Sequence, residues 1–243
     1  CVAALQAAID KAGINLKVAA VEGDNLVKRQ QEFSQAGVVE MFSGEDFPEK
    51  CLSVNSYLGA SAVRDALDAG ADIVITGRVV DSAVVLGPLM HEFDWTETDY
   101  DQLAQGSLAG HVIECGAQCT GGNFTDWQLV EAGYANMGFP IVECVADGSF
   151  VVSKPNNTGG LVSVGTVGEQ ILYEIGDPSQ YLLPDVTCDF TGVQLEQLDD
   201  DHVLVSGAKG RASSDHYKVG SLYASPSPRD RSRYSMPSYA CKK

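Results

Sequence analysis

Residues 71–95, ADIVITGRVVDSAVVLGPLMHEFDW, decide the fold. Ile73–Thr76 is a short apolar, β-branched run of the kind that forms a buried strand. Gly77 and Arg78 interrupt it, Asp81 and Ser82 offer helix-capping side chains, and residues 83–90 carry an apolar helical pattern. The same strand–turn–helix texture lies upstream. Residues 2–11 repeat apolar side chains at helical spacing and stop at Gly13; residues 16–21 (LKVAAV) form a second apolar strand. Residues 22–25 then turn the chain into a helix capped by Asp24 or Asn25 and reaching Phe33, and residues 57–69 form a further helix closed by Gly70. Helices alternating with apolar strands predict a parallel sheet covered on both faces.

Downstream the texture changes. Residues 103–116 are expected to be helical, and 141–145 and 150–153 flank Ala146-Asp147-Gly148-Ser149, a hairpin signal. A helix over 164–175 and strands over 186–190, 193–198, 202–206 and 217–223 complete the reading. The expected class is α/β: a partly parallel sheet with flanking helices, then an α+β region rich in antiparallel hairpins. Residues 1–138 and 139–223 are expected to be two parts of one core domain. Residues 224–243 form a tail with three Arg, two Lys and one Asp among many Ser and Pro; lacking apolar periodicity, it is expected to be disordered.

A formal net charge of −17 excludes nucleic acid as a partner, because phosphate contacts need a basic surface. No apolar run is long enough to span a bilayer, so no membrane partner is expected either. Seven scattered cysteines, an odd number with no paired framework, point to reduced thiols and a cytoplasmic location. Cys115, Cys119 and Cys144 are expected to be free and mostly buried.

Chemistry concentrates between residues 76 and 160. The turn from Thr76 to Ser82 leaves a strand at its C-terminal end, the usual ligand crevice of open α/β sheets, and Arg78 is suited to clamping a carboxylate or phosphate there. The competing reading makes Asp81 a helix cap and Arg78 a surface charge. His111, Cys115 and Cys119 recur every four residues beside Glu114. No Cys-x-x-Cys or His-Glu-x-x-His occurs, so no metal ligand is assigned; His111, Glu114 and Asp81 are the candidate acids and bases. Two glycine loops follow: Gly121-Gly122-Asn123-Phe124-Thr125-Asp126-Trp127, and 154–160 with Asn156, Thr158, Gly159 and Gly160. Gly121, Gly122, Asn123, Asp126, Asn156, Thr158, Gly159 and Gly160 are therefore candidate ligand contacts, against the plainer reading that the glycines only make turns. Walker, dinucleotide and nucleophile-elbow motifs are missing, so no cofactor is expected.

Together these segments resemble the acyclic terpene utilisation protein A family. The matching stretches are VAAVEGDNL (18–26), SYLGASAVRDALDAGADIVITGRVVDSAVVLGPLMHEFDW (56–95), GSLAGHVIECGAQCTGGNFTDW (106–127), residues 138–186 and SGAKGRASSDHYKV (206–219). The resemblance implies a role in the breakdown of terpenes such as citronellol and geraniol, among acyl-CoA carboxylases, dehydrogenases and hydratases. It implies a small-molecule substrate, with CoA entering only as part of one, and carries over no catalytic residue. An enzyme of hydration, lyase or hydrolytic type acting on an acyl-CoA or carboxylate is expected; the alternative is a scaffold for the pathway's acyl-CoA enzymes. The resemblance also places family segments upstream of Cys1. The sheet is then expected to expose apolar faces and edges, and the chain to be marginal alone and to self-associate as a homo-oligomer or need those upstream segments.

Overall fold

A computed structural model describes residues 1–222 and 238–242. The chain divides into two compact units, Cys1–Val80 with Ser214–Lys243, and Asp81–Ser213. Residue 138, the expected divide, lies inside the second unit.

In the first unit, α1 (Val2–Ala12) ends at Gly13, which adopts the left-handed conformation with φ 66° and turns the chain back. The strands β1 (Val18–Val21) and β3 (Ile73–Thr76) pair in parallel from Val18 with Ile73 to Val21 with Thr76, as the alternating pattern requires. All four β3 residues are only half-buried, so the cover expected over both sheet faces is incomplete within this unit. Between the strands lie a 3-10 turn (Val27–Arg29), entered through the Asn25 carboxamide accepting from the Val27 N–H at 3.2 Å, and α2 (Gln30–Gln35). β2 (Ser53–Ser56) is a strand the polar sequence SVNS conceals. Helix α3 spans Ser61–Asp68, four residues shorter at its start than expected. Leu58 pairs instead with Val79 across a parallel bridge, and its N–H reaches the Arg78 carbonyl, so this stretch is held extended by sheet pairing.

The second unit is built around one helix. α4 (Ala83–Glu92) leads to α5 (Tyr100–Glu114), in which every residue from Leu103 to Val112 is buried. Such a helix shows no single apolar stripe because it is covered all round. Its cover is α4, α6 (Val164–Leu172) and strands of two antiparallel sheets. One sheet runs β4-β5-β9-β8, from β4 (Ile141–Cys144), β5 (Phe150–Ser153), β8 (Gln194–Asp199) and β9 (His202–Ser206). The other runs β10-β7-β6, from β6 (Tyr181–Leu182), β7 (Val186–Asp189) and β10 (Lys209–Ala212). The hairpin expected around Asp147-Gly148 joins β4 to β5. In β9, Val203 and Val205 are buried while their neighbours are half-buried, the period-two pattern of a sheet face. The buried Gln105 staples α5 to this sheet: its Nε2 donates to the Val205 carbonyl at 3.1 Å, and its Oε1 accepts from the Ala208 N–H at 2.9 Å.

The chain returns to the first unit through β11 (His216–Leu222), which lies between β2 and β12 (Ser238–Lys242) in an antiparallel sheet. This corrects the expectation of disorder for the whole tail. Composition weighs only side-chain burial, whereas the open edge of β11 offers main-chain hydrogen bonds to any extended segment. Residues 223–237, on which the rest of that expectation falls, lie outside the described residues. The first unit's core is Phe33, Phe47, Cys51, Val54 and Val219, with the Phe33 and Phe47 rings 5.5 Å apart.

Candidate functional site

The last turn of α5 carries His111 and Glu114, three residues apart and hence on one face. His111 is 4% exposed. Its Nε2 lies 3.0 Å from the Gln170 carbonyl and its Nδ1 3.1 Å from Glu114 Oε1. A carbonyl only accepts, so Nε2 donates to it, and Nδ1 is the nitrogen that faces the carboxylate. The Gln170 side chain reciprocates, donating from Nε2 to the His111 carbonyl at 2.9 Å. Gln170 is positioned by α6, whose start is set by a reciprocal cap: Ser163 Oγ accepts from the Thr166 N–H at 3.2 Å, and Thr166 Oγ1 from the Ser163 N–H at 3.0 Å. The buried helix α5 and the buried face of α6 thus clamp the imidazole and turn its second nitrogen toward a carboxylate that is still partly exposed.

Further ionisable groups gather at this end of α5. The Cys115 thiol is pushed up by partial burial first, then by the carboxylates of Glu114 and Glu174, and more weakly by Asp81; a hydrogen bond from the Gln170 amide offsets part of this. The Tyr181 phenol is pushed up to about 12, mainly by burial and then by Glu114, Cys188, Asp81 and Glu174. The same three carboxylates therefore act on one thiol and one phenol. Glu174 follows the end of α6 with φ 58°, a left-handed conformation that a non-glycine residue adopts only when its surroundings impose it. Its carboxylate hydrogen-bonds Tyr173 and raises that phenol as well. The Gln170 Oε1 atom is buried without a hydrogen-bond partner.

Asp81, His111 and Glu114, the acids and bases expected from sequence, thus share one neighbourhood of the second unit. Gln170, Glu174 and Tyr181 were missed. They lie about sixty residues downstream of α5, and no local spacing links them to it. Cys115 is exposed, unlike the buried Cys119 and the half-buried Cys144, which corrects the expectation for it: the helix ends at Glu114 and the thiol leaves the core. Cys1, Cys51, Cys115, Cys119, Cys144 and Cys188 are free thiols.

The two glycine loops meet each other. The Leu161 N–H donates to the Thr120 carbonyl at 2.9 Å, the Gly159 N–H to Asn136 at 2.7 Å, and the Gly138 N–H to Gly159 at 3.1 Å. A Cβ on Gly159 would come within 2.5 Å of Gly133 Cα, one on Gly160 within 2.6 Å of the Thr120 carbonyl, and those on Gly121 and Gly122 within 2.9 Å of Val130 and Ala117. Close crossing of main chains accounts for these glycines without a ligand. Thr158 Oγ1 donates to the Pro155 carbonyl, and Asn123, Asp126 and Asn156 are exposed. Arg78 belongs to the first unit, where its guanidinium lies over the Tyr57 ring. Among the described residues no group of three His, Cys, Asp or Glu side chains is arranged to hold a metal ion, and no helix is long and apolar enough to cross a membrane.

The family model for the acyclic terpene utilisation protein AtuA matches residues 1–226, nearly the whole chain. The chain belongs to the AtuA family. No curated protein and no solved structure matches it. Membership ties this AtuA chain to acyclic terpene utilisation and extends the resemblance noted from sequence across α1 and β11.

Proposed function

We propose that this AtuA protein is a cytoplasmic, non-redox enzyme of acyclic terpene breakdown, with Glu114 as the general acid–base. It acts on the acyl portion of a terpenoid acyl-CoA or free acid, by hydration, elimination or hydrolysis. The observation that carries this reading is the His111–Glu114 contact, in which the imidazole is locked from behind by Gln170 and faces a partly exposed carboxylate. A carboxylate so oriented can take a proton from water or a substrate carbon and return it within one turnover. Asp81 is the second carboxylate within reach of the chemistry. Burial, with the nearby carboxylates, pushes the Tyr181 phenol up to about 12, so at neutral pH it holds its proton and serves as a hydrogen-bond donor to a substrate oxygen. Three neighbouring carboxylates repel phosphate and carboxylate groups, so the uncharged acyl chain, not the charged end of the substrate, enters here.

Thermal-shift measurements against CoA, terpenoyl-CoA esters and terpenoid acids, followed by mass-spectrometric detection of water addition or loss, test this reading. Glu114→Gln should lower turnover by about 100-fold or more with an unchanged melting temperature. Absence of stabilisation by every ligand, or unaltered turnover in Glu114→Gln, would overturn it. A second reading, a scaffold for acyl-CoA pathway enzymes, is favoured by the exposure of Trp127, Leu129, Tyr134 and Phe139 within one short segment. Capture of such an enzyme, undisturbed by Glu114→Gln and lost on Leu129→Asp, would select it.

A further inference from the structure

The first unit carries a second cluster that takes no part in the acid–base site. Tyr57 sits where the extended chain after β2 runs between the turn following β3 and β11. Its N–H donates to the Lys218 carbonyl at 2.9 Å, and the next N–H, of Leu58, donates to the Arg78 carbonyl at 3.2 Å. Main-chain hydrogen bonds thus hold Arg78 on one side of Tyr57 and Lys218 on the other. Both side chains also turn to the same ring, the Arg78 guanidinium 5.4 Å and the Lys218 ammonium 5.9 Å from its centre.

This arrangement is costly in the free protein. Two exposed cations repel each other, and each gains only a weak attraction to the ring at such distances. The chain has 33 acidic side chains, yet neither cation forms an ion pair with a described carboxylate. The nearby carboxylate of Asp24 is occupied, accepting from Asn55 Nδ2 at 2.8 Å and packing against Gly77. A planar fork and a point charge, fixed to one scaffold and unpaired with any carboxylate among the described residues, match a group bearing two negative charges. We propose that Tyr57, Arg78 and Lys218 form a binding site for a dianionic phosphate group, with the Tyr57 ring holding both cations in place before the ligand arrives. The proposal does not depend on the chemistry at Glu114.

The phosphate can be free or part of a nucleotide-bearing ligand, and calorimetric titration of the 243-residue chain at low ionic strength separates these sources. The probes are inorganic phosphate, adenosine 3′,5′-bisphosphate and adenosine. Phosphate and the bisphosphate should both bind, adenosine should not, and added salt should weaken binding. Preference for the bisphosphate assigns a nucleotide-bearing ligand; equal affinity assigns the free ion. Arg78→Ala and Lys218→Ala should each weaken binding by about tenfold or more, and Tyr57→Leu by less, while Lys28→Ala, an exposed cation elsewhere in the unit, changes nothing. Arg78→Gln keeps the stem where Arg78→Ala alters the fold by circular dichroism. Phosphate affinity within twofold of the parent in both charge-removed variants, or no binding of either phosphate probe, overturns the site. Absence of terpenoyl-CoA turnover in the parent chain, with phosphate binding intact, would instead count only against the acid–base reading.

Discussion

Replacing Gln170 with Met tests whether the end of α5 is held as described. Met keeps the length and nearly the volume of Gln, so the packing change alone costs less than about 1.5 kcal/mol. What is lost is the donor to the His111 carbonyl. That carbonyl lies in the last turn of α5, where the helix runs out of N–H groups. The next one, of Cys115, turns to the Ile113 carbonyl instead. His111 is 4% exposed, so water does not take the place of the Gln170 amide. An orphaned buried carbonyl costs about 1–3 kcal/mol. The reciprocal bond survives, because His111 Nε2 donates to the main-chain carbonyl of residue 170, which also accepts from the Tyr173 N–H at 3.2 Å. The loss falls mainly on the His111 carbonyl and in smaller part on the Cys115 contact, while removal of the unpartnered Gln170 Oε1 offsets some of it, so the expected drop in melting temperature lies toward the lower end of roughly 2–12 °C. Urea denaturation of parent and variant, read at a tryptophan and by circular dichroism, gives the free energy directly. A double-mutant cycle with His111→Phe should show coupling above about 0.5 kcal/mol, since the two residues share one clamp. A Gln170→Met protein within about 0.5 kcal/mol of the parent, or with no coupling to His111, would refute the clamp, and with it the orientation of Glu114.

Gly159→Ala should destabilise the second unit by about 1–3 kcal/mol, because the new methyl would meet the Gly133 main chain; a parent-like melting temperature would return these glycines to a ligand role. Burial pushes the thiols of Cys119 and Cys188 up to about 12 and that of Cys144 to about 11, from the ordinary 9.0. The folded state keeps these protons where the unfolded chain has lost them. Their contribution to stability is thus complete below about pH 9 and falls as pH rises toward 11 to 12; denaturation midpoints measured from pH 8 to 10.5 should decline. Cys115 is exposed but raised by partial burial and by carboxylates, so it should alkylate slowly at neutral pH and faster in Glu114→Gln. Equal rates in the two proteins would show that Glu114 does not act on it.

Local sequence signals determined much of this protein. The parallel pair β1 and β3, the Gly13 cap, the β4–β5 hairpin and strand β9 follow from periodicity and turn chemistry, which act over a few residues. The spacing that puts His111 and Glu114 on one helix face was equally legible. Three features were not. β2 and β12 are polar segments, strands only because β11 offers an unpaired edge on each side. The stretch before α3 reads as helix by apolar spacing, yet the Leu58 N–H finds the Arg78 carbonyl and stays extended. The glycine pairs look like ligand loops, but their missing side chains make room for Gly133, Thr120 and Ala117. The candidate site shows the same division. Sequence supplied Asp81, His111 and Glu114. Only the packing of α6 against α5 brought Gln170, and the turn beyond it Glu174, into their company, because contacts between residues sixty positions apart are set by which buried faces fit together, and no short-range pattern encodes that.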